Sequence, residues 1–298
     1  MRTLALAGLA AIAALALWLW GFGGADLVSR WATSTQRDVQ NGMASSLRAL
    51  RAGETEALSG LWLLCLTYGF VHAAGPGHGK LVLGGYALGV RVPASKLAGL
   101  AALSSLAQAG VAIVFVSVAL VVLGWSRDLM TDVADRAMAP LSYGLVCLVG
   151  LWLARRGGRK LWRSRRPAKP HSHAHNACPD CGHAHAPSVD QAANVRTWRD
   201  VVVVVGAIAI RPCTGAIFLL ILTYALDLYW VGVIGVLIMG TGTAALTGLV
   251  AFAAAGARES ALAQAASAKS TAMLLALIEI GAGLMIAIVA LQLLMRFT

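Results

Sequence analysis

Six long apolar stretches, at about 58–90, 97–124, 137–154, 201–224, 229–255 and 272–295, decide what this chain can become. Runs of about 17 to 25 apolar residues cross the hydrocarbon core of a bilayer as helices, because every backbone N–H and C=O must be satisfied within the segment there. Of the 298 residues, 58% are hydrophobic and only 12% are charged, about half the ~25% of soluble domains. Mean hydropathy is +0.74. The fold class that follows is an all-α polytopic membrane protein. A net charge of +11 suggests nucleic acid at first sight, but the basic residues gather in loops between apolar spans. They act as topology signals, and no nucleic-acid partner is expected.

Ahead of the spans, Leu4 to Trp20 is apolar behind a lone Arg2, and Gly24-Ala25 resembles a weak small-residue cleavage site. Residues 1–23 are a transmembrane helix or a signal segment, with the helix preferred. Residues 24–57 are polar, with Trp31, Met43, Leu47 and Leu50 at roughly helical spacing. They predict a short amphipathic helix on the outer membrane surface. A first three-helix half follows at 58–154, then a basic His/Cys-rich loop at 155–199, then a second three-helix half at 200–298. With the N-terminus inside, inner segments carry fifteen Lys and Arg against seven outside. That bias puts the loop 155–199 on the cytoplasmic side.

The first apolar stretch is too long for one straight crossing. Within it, Tyr68-Gly-Phe-Val-His72-Ala-Ala-Gly75-Pro76-Gly77-His78-Gly-Lys80 sets two histidines and a lysine among glycines and a proline. Gly75, Pro76 and Gly77 predict a broken helix, or a crossing followed by a re-entrant piece. On an unbroken helix His72 and His78 would stand about 120° and about 9 Å apart, too far for one metal ion. A break removes that constraint. Ionisable groups at this depth persist where they line a cavity or bind something.

The second half opens in the same way, since Pro212-Cys213-Thr214-Gly215 repeats the P-x-x-G of Pro76-Gly-His-Gly79. Three crossings being odd, the second half enters the membrane in the opposite sense. Matching interruptions in two inverted halves point to a transport site near the midplane. Cys213 and Thr214 are candidate ligands there, and Arg211 favours a ligating thiolate. The alternative for Cys213 is a small packing residue beside a kink. Glu279, inside the last span, needs a cation. Lys80 or Arg211 would serve, in a gating or coupling role or as an ion pair holding the halves together. Ser104, Ser105, Gln108, Thr241 and Thr243 are expected to make helix-packing hydrogen bonds or to line the path.

Five of the seven histidines, His171, His173, His175, His183 and His185, crowd the loop around Cys178-Pro-Asp-Cys181. Imidazole and thiolate suit zinc, nickel, cobalt or copper and match magnesium or calcium poorly. The loop is expected to gather divalent transition-metal ions, or to be a basic low-complexity linker. Enzyme motifs are missing. Gly75 to Lys80 is no Walker A loop, because Leu81 follows the lysine, and neither H-E-x-x-H nor G-x-S-x-G occurs. The chain reads as no enzyme, without a permanently bound cofactor, and an ion gradient is the expected energy source.

The segments His72-Ala-Ala-Gly-Pro-Gly-His78-Gly-Lys80 and Arg211-Pro-Cys-Thr-Gly-Ala216, with the His-rich loop between them, resemble the nickel/cobalt efflux branch of the NicO transporter superfamily. The resemblance covers roughly 58–295. It implies a secondary transporter that exports Ni²⁺ or Co²⁺ across a bacterial inner membrane and confers metal tolerance, with proton coupling as the expected drive. Related importing permeases carry H-A-x-D-A-D-H, whose aspartates are replaced here by Gly75 and Gly77. That departure favours efflux. Uptake of the same metals is one alternative. A membrane thiol-disulfide electron carrier is another, more distantly resembled through Pro212-Cys213, though Gly77 stands where its second cysteine would be.

Overall fold

A computed structural model of the protein describes residues 14, 17, 18, 21–75, 78–89, 93–165, 198–262 and 268–295. Residues 1–13, Pro76, Gly77 and the His/Cys cluster of the loop lie outside the described residues, as do the side chains of His78 and Lys80.

All regular structure among the described residues is helical. Helix α1 is Gly24–Arg51, α2 Ala57–Ala74, α3 His78–Gly89, α4 Ala94–Ser117, α5 Arg127–Val133 and α6 Ala139–Arg165. Helix α7 is Trp198–Ala209, α8 Thr214–Ala225, α9 Tyr229–Leu262 and α10 Ala268–Leu294. Among the described residues five helices are long and apolar enough to cross a membrane: Ala57–Ala74, Ala94–Val122, Arg127–Trp162, Tyr229–Leu262 and Met273–Leu294. A sixth crossing results if α7 and α8, bent by 59°, form one broken span. This agrees with the polytopic all-α fold expected from the six apolar stretches.

Local sequence explains the interruptions. Helix α2 stops at Gly75, whose backbone is extended at φ −61° and ψ 166°, because the residue before a proline is pushed out of the helical region. Between α5 and α6 the ladder widens into a π turn at Ala134–Met138. Pro140 follows at once and lacks the N–H that would continue regular bonding, so the wide turn lets the helix pass without breaking.

Lipid is as apolar as leucine, so close packing of small residues holds such helices together. A Cβ at Gly150 on α6 would stand 2.7 Å from the Gly283 carbonyl oxygen on α10, and one at Gly283 2.6 Å from the Gly150 oxygen. Those backbones touch directly. Large apolar side chains point outward instead, with Leu63, Val121, Val122, Leu148 and Leu249 at least 60% exposed.

Helix α1 fills the segment where an amphipathic helix was expected and is longer than the short one foreseen. It runs 28 residues, about 42 Å, and packs antiparallel along α2. Cys65 Sγ approaches Met43 Sδ at 3.9 Å, and Gln40 and Gln36 meet Tyr68 and His72 further along. Met43 and Leu47 are fully buried in this contact, whereas Trp31 is half exposed. The buried stripe is Ala32, Val39, Met43 and Leu47, with the two glutamines inside it. At the far end Arg51 pairs with Asp227 at 3.0 Å and donates to the Leu226 carbonyl at 2.8 Å. The α1–α2 and α8–α9 turns therefore share one side, as alternating crossings demand.

Candidate functional site

The second helix break packs against Tyr68, about two turns before α2 ends. This residue is 1% exposed, and its ring stacks on the His72 imidazole with centroids 5.8 Å apart and planes 11° from parallel. On its other side lies the start of α8. A Cβ at Gly215 would overlap the Tyr68 ring and stand 2.5 Å from its hydroxyl oxygen, so only glycine lets the second break close on α2. The Tyr68 hydroxyl accepts from Gln40 Nε2 at 3.3 Å and also interacts with the Thr214 side chain and the Gly215 backbone.

His72 sits in the last turn of α2, among the carbonyls that form the negative end of that helix. Its Nδ1 lies 3.1 Å from Gln36 Oε1. One turn back, the Gly69 carbonyl accepts from Thr243 Oγ1 on α9 at 3.1 Å. Cys213 is the N-cap of α8, in extended backbone at φ −78° and ψ 141°, and its Sγ accepts from Ala216 N at 3.3 Å. Thr214 beside it is exposed. A thiol, a hydroxyl and an imidazole thus flank a single tyrosine.

Arg211 closes the site toward α5 and α6. Its guanidinium lies over the Tyr143 ring at 5.4 Å and donates to the Tyr143 hydroxyl. It also pairs with Asp135 in the π turn at 3.4 Å, and its carbonyl accepts from Gln108 Nε2 at 2.9 Å. Asp135 borders an open cavity of about 480 Å³ that Asp128, Thr131, Asp132, Arg127 and Arg136 also line. Of the polar residues expected on apolar spans, Gln108 and Thr243 thus reach the broken elements, while Ser104 and Thr241 bond within their own helices.

Comparison with known proteins adds the family. The model of NicO, described as a high-affinity nickel-transport protein, matches residues 58–180. A Haemophilus influenzae protein named "Putative nickel/cobalt efflux system" is 32% identical over 239 residues, covering 74% of this chain and 74% of that protein. The chain belongs to the NicO family. It is a nickel/cobalt transporter and not an enzyme, and the ions it moves are cargo. No solved structure gives a significant match to this NicO protein.

The NicO chain differs from the sequence expectation at Glu279. This residue is fully buried, and its partners among the described residues are Arg156 and Lys160 and not Arg211, which Asp135 holds. Lys160 Nζ donates to its Oε2 at 2.6 Å, and Arg156 Nε stands 3.0 Å from Oε1 as an ion pair outside hydrogen-bond geometry. The carboxylate therefore ties α10 to α6, the reading in which an ion pair joins the two halves. Inner-loop arginines looked like topology signals, and nothing in the sequence marks one of them as a partner.

Among the described residues no group of three or more His, Cys, Asp and Glu gathers at metal-binding distance. His78 opens α3 directly after the break, so His72 and His78 lie on separate helices as the spacing required. Gln36, Gln40 and Tyr68 were missed in the sequence. Their signal is a glutamine pair, i and i+4, inside the otherwise apolar stripe of α1, opposite the i and i+4 pair Tyr68 and His72.

Proposed function

We propose that this NicO protein exports Ni²⁺ or Co²⁺ across a bacterial inner membrane and so confers tolerance to these metals. The observation that carries the reading is the junction at Tyr68, where the turn bearing His72 meets the break bearing Cys213 and Thr214. His72 and His78 act as ligands, and Cys213 Sγ and Thr214 Oγ1 join from the facing break. Imidazole and thiolate are donors matched to nickel and cobalt. His72 lies in the last turn of α2, at the negative pole of that helix, which favours a cation there. The breaks at Gly75-Pro76-Gly77 and Pro212 serve as equivalents in two inverted halves.

Export is favoured by the name borne by the Haemophilus influenzae relative and by Gly75 and Gly77, which leave no carboxylate beside the histidines. Lys80 and Arg211 serve gating or coupling, while Glu279 holds the two halves together through Arg156 and Lys160. The loop from His171 to His185, on the cytoplasmic side, gathers metal for the site. Neutral imidazole binds metal and imidazolium does not, so protons entering from outside expel the ion. Transport indifferent to both pH and the proton gradient would contradict that coupling.

Cell-associated nickel and cobalt in metal-loaded cells test the reading. Wild type is expected to lower cell metal, His78→Ala to abolish the effect, and deletion of 171–185 to weaken it mainly at low metal. A rise in cell metal with wild type would make the protein an importer.

A further inference from the structure

Helix α1 lies outside the segment 58–180 that the family model matches, yet it supplies two side chains to the junction. We infer that Gln36 is a positioning residue of the transport step, holding His72 in the tautomer that keeps its lone pair on Nε2, the nitrogen that would ligate the ion. The inference rests on His72 being an ion ligand, as proposed above.

The orientation of the Gln36 amide is set by its own helix. Its Nε2 donates to the Ala32 carbonyl one turn back at 3.0 Å, so the oxygen is the end left to face α2. That oxygen lies 3.1 Å from His72 Nδ1. An amide oxygen only accepts, so Nδ1 carries the hydrogen, and in a neutral ring the lone pair then belongs to Nε2. The ring plane is fixed separately by the Tyr68 stack at 5.8 Å. Tyr68 is held in turn by Gln40 and by the missing Cβ of Gly215. Plane and tautomer of the imidazole are thus both determined by groups that hold no ion themselves, the arrangement that outer partners give to metal-binding histidines.

The choice of an amide over a carboxylate fits a transporter. A carboxylate on Nδ1 makes imidazole a stronger ligand, whereas a transport site must also release its ion. An amide orients the ring without adding a charge that would hold a divalent cation back.

The test uses the full chain in proteoliposomes, with Ni²⁺ flux measured over a range of concentrations for wild type, His72→Ala, Gln36→Leu and Gln36→Glu. The inference predicts that Gln36→Leu raises the half-saturating Ni²⁺ concentration by about 10- to 100-fold at little changed maximal flux, the size of effect known for outer partners. It predicts the opposite split for Gln36→Glu, a lower half-saturating concentration together with a lower maximal flux. Should Gln36→Leu fail to fold, Gln36→Glu decides alone, since loss of mere packing would not tighten binding. If His72→Ala loses transport while both Gln36 variants keep the wild-type half-saturating concentration, the inference is wrong and the ligand role of His72 stands. If His72→Ala transports like wild type, the ligand role itself fails and the inference with it.

Discussion

Gly215→Ala sets helix propensity against packing, with opposite signs. Position 215 lies in the first turn of α8, where alanine in place of glycine would by itself stabilise a helix by about 0.5–1 kcal/mol. The new Cβ, however, overlaps the Tyr68 ring and stands 2.5 Å from its hydroxyl oxygen. Ordinary contacts need about 3.5–4.0 Å, so the ring must retreat by at least about 1 Å. Tyr68 is 1% exposed, and His72 and Gln40 occupy its other sides. Overpacking of this kind costs about 1–3 kcal/mol, and losing the Gln40 bond adds about 1 kcal/mol. The clash wins, with a net loss of about 1–3 kcal/mol. Thermal unfolding in detergent reads the stability, and proteoliposome flux should fall further than stability does, because Tyr68 carries His72. Gly256→Ala, where nothing lies within 4 Å of the new Cβ, is the control. In a Tyr68→Ala background the cost of Gly215→Ala should nearly vanish, a coupling that only contacting residues show. A Gly215→Ala protein that melts at or above the wild-type temperature with full flux would refute the reasoning.

Other perturbations follow from the same geometry. Glu279→Gln leaves Arg156 and Lys160 facing a neutral group and should destabilise by about 3 kcal/mol, the low end for broken buried pairs, since those partners are 31% and 47% exposed. Its effect should appear as a lower unfolding temperature in detergent, and an unchanged value would show that α6 and α10 do not rely on the pair. Cys213→Ser keeps an N-cap acceptor, so unfolding should move by less than about 0.5 kcal/mol while half-saturating Ni²⁺ rises severalfold. Equal flux kinetics at every Ni²⁺ concentration would remove Cys213 from the ligand set.

The apolar periods carried the crossings, and Gly/Pro chemistry carried both interruptions, because backbone sterics act locally: Gly75 is extended since Pro76 follows it. Pairing across helices was less legible. Glu279 could be recognised as needing a cation, but whether Arg211 or Lys160 supplied it depends on how α6 lies against α10, which the glycines at 150 and 283 decide through backbone contact. For helix α1 the apolar spacing carried the helix but not its partner. Its burial against α2 comes from the face holding Ala32, Val39, Met43 and Leu47. Gln36 and Gln40 belong to that face, and polar residues inside a packing stripe become visible only when the facing helix presents donors and acceptors at the same interval.

Everted membrane vesicles test the central claim most directly, because their interior corresponds to the outside of the cell. With an imposed proton gradient, vesicles bearing the wild-type chain should accumulate Ni²⁺ or Co²⁺, and those bearing His72→Ala should not. Accumulation that persists in His72→Ala would contradict a path through the Tyr68 junction, and accumulation only in right-side-out vesicles would contradict export.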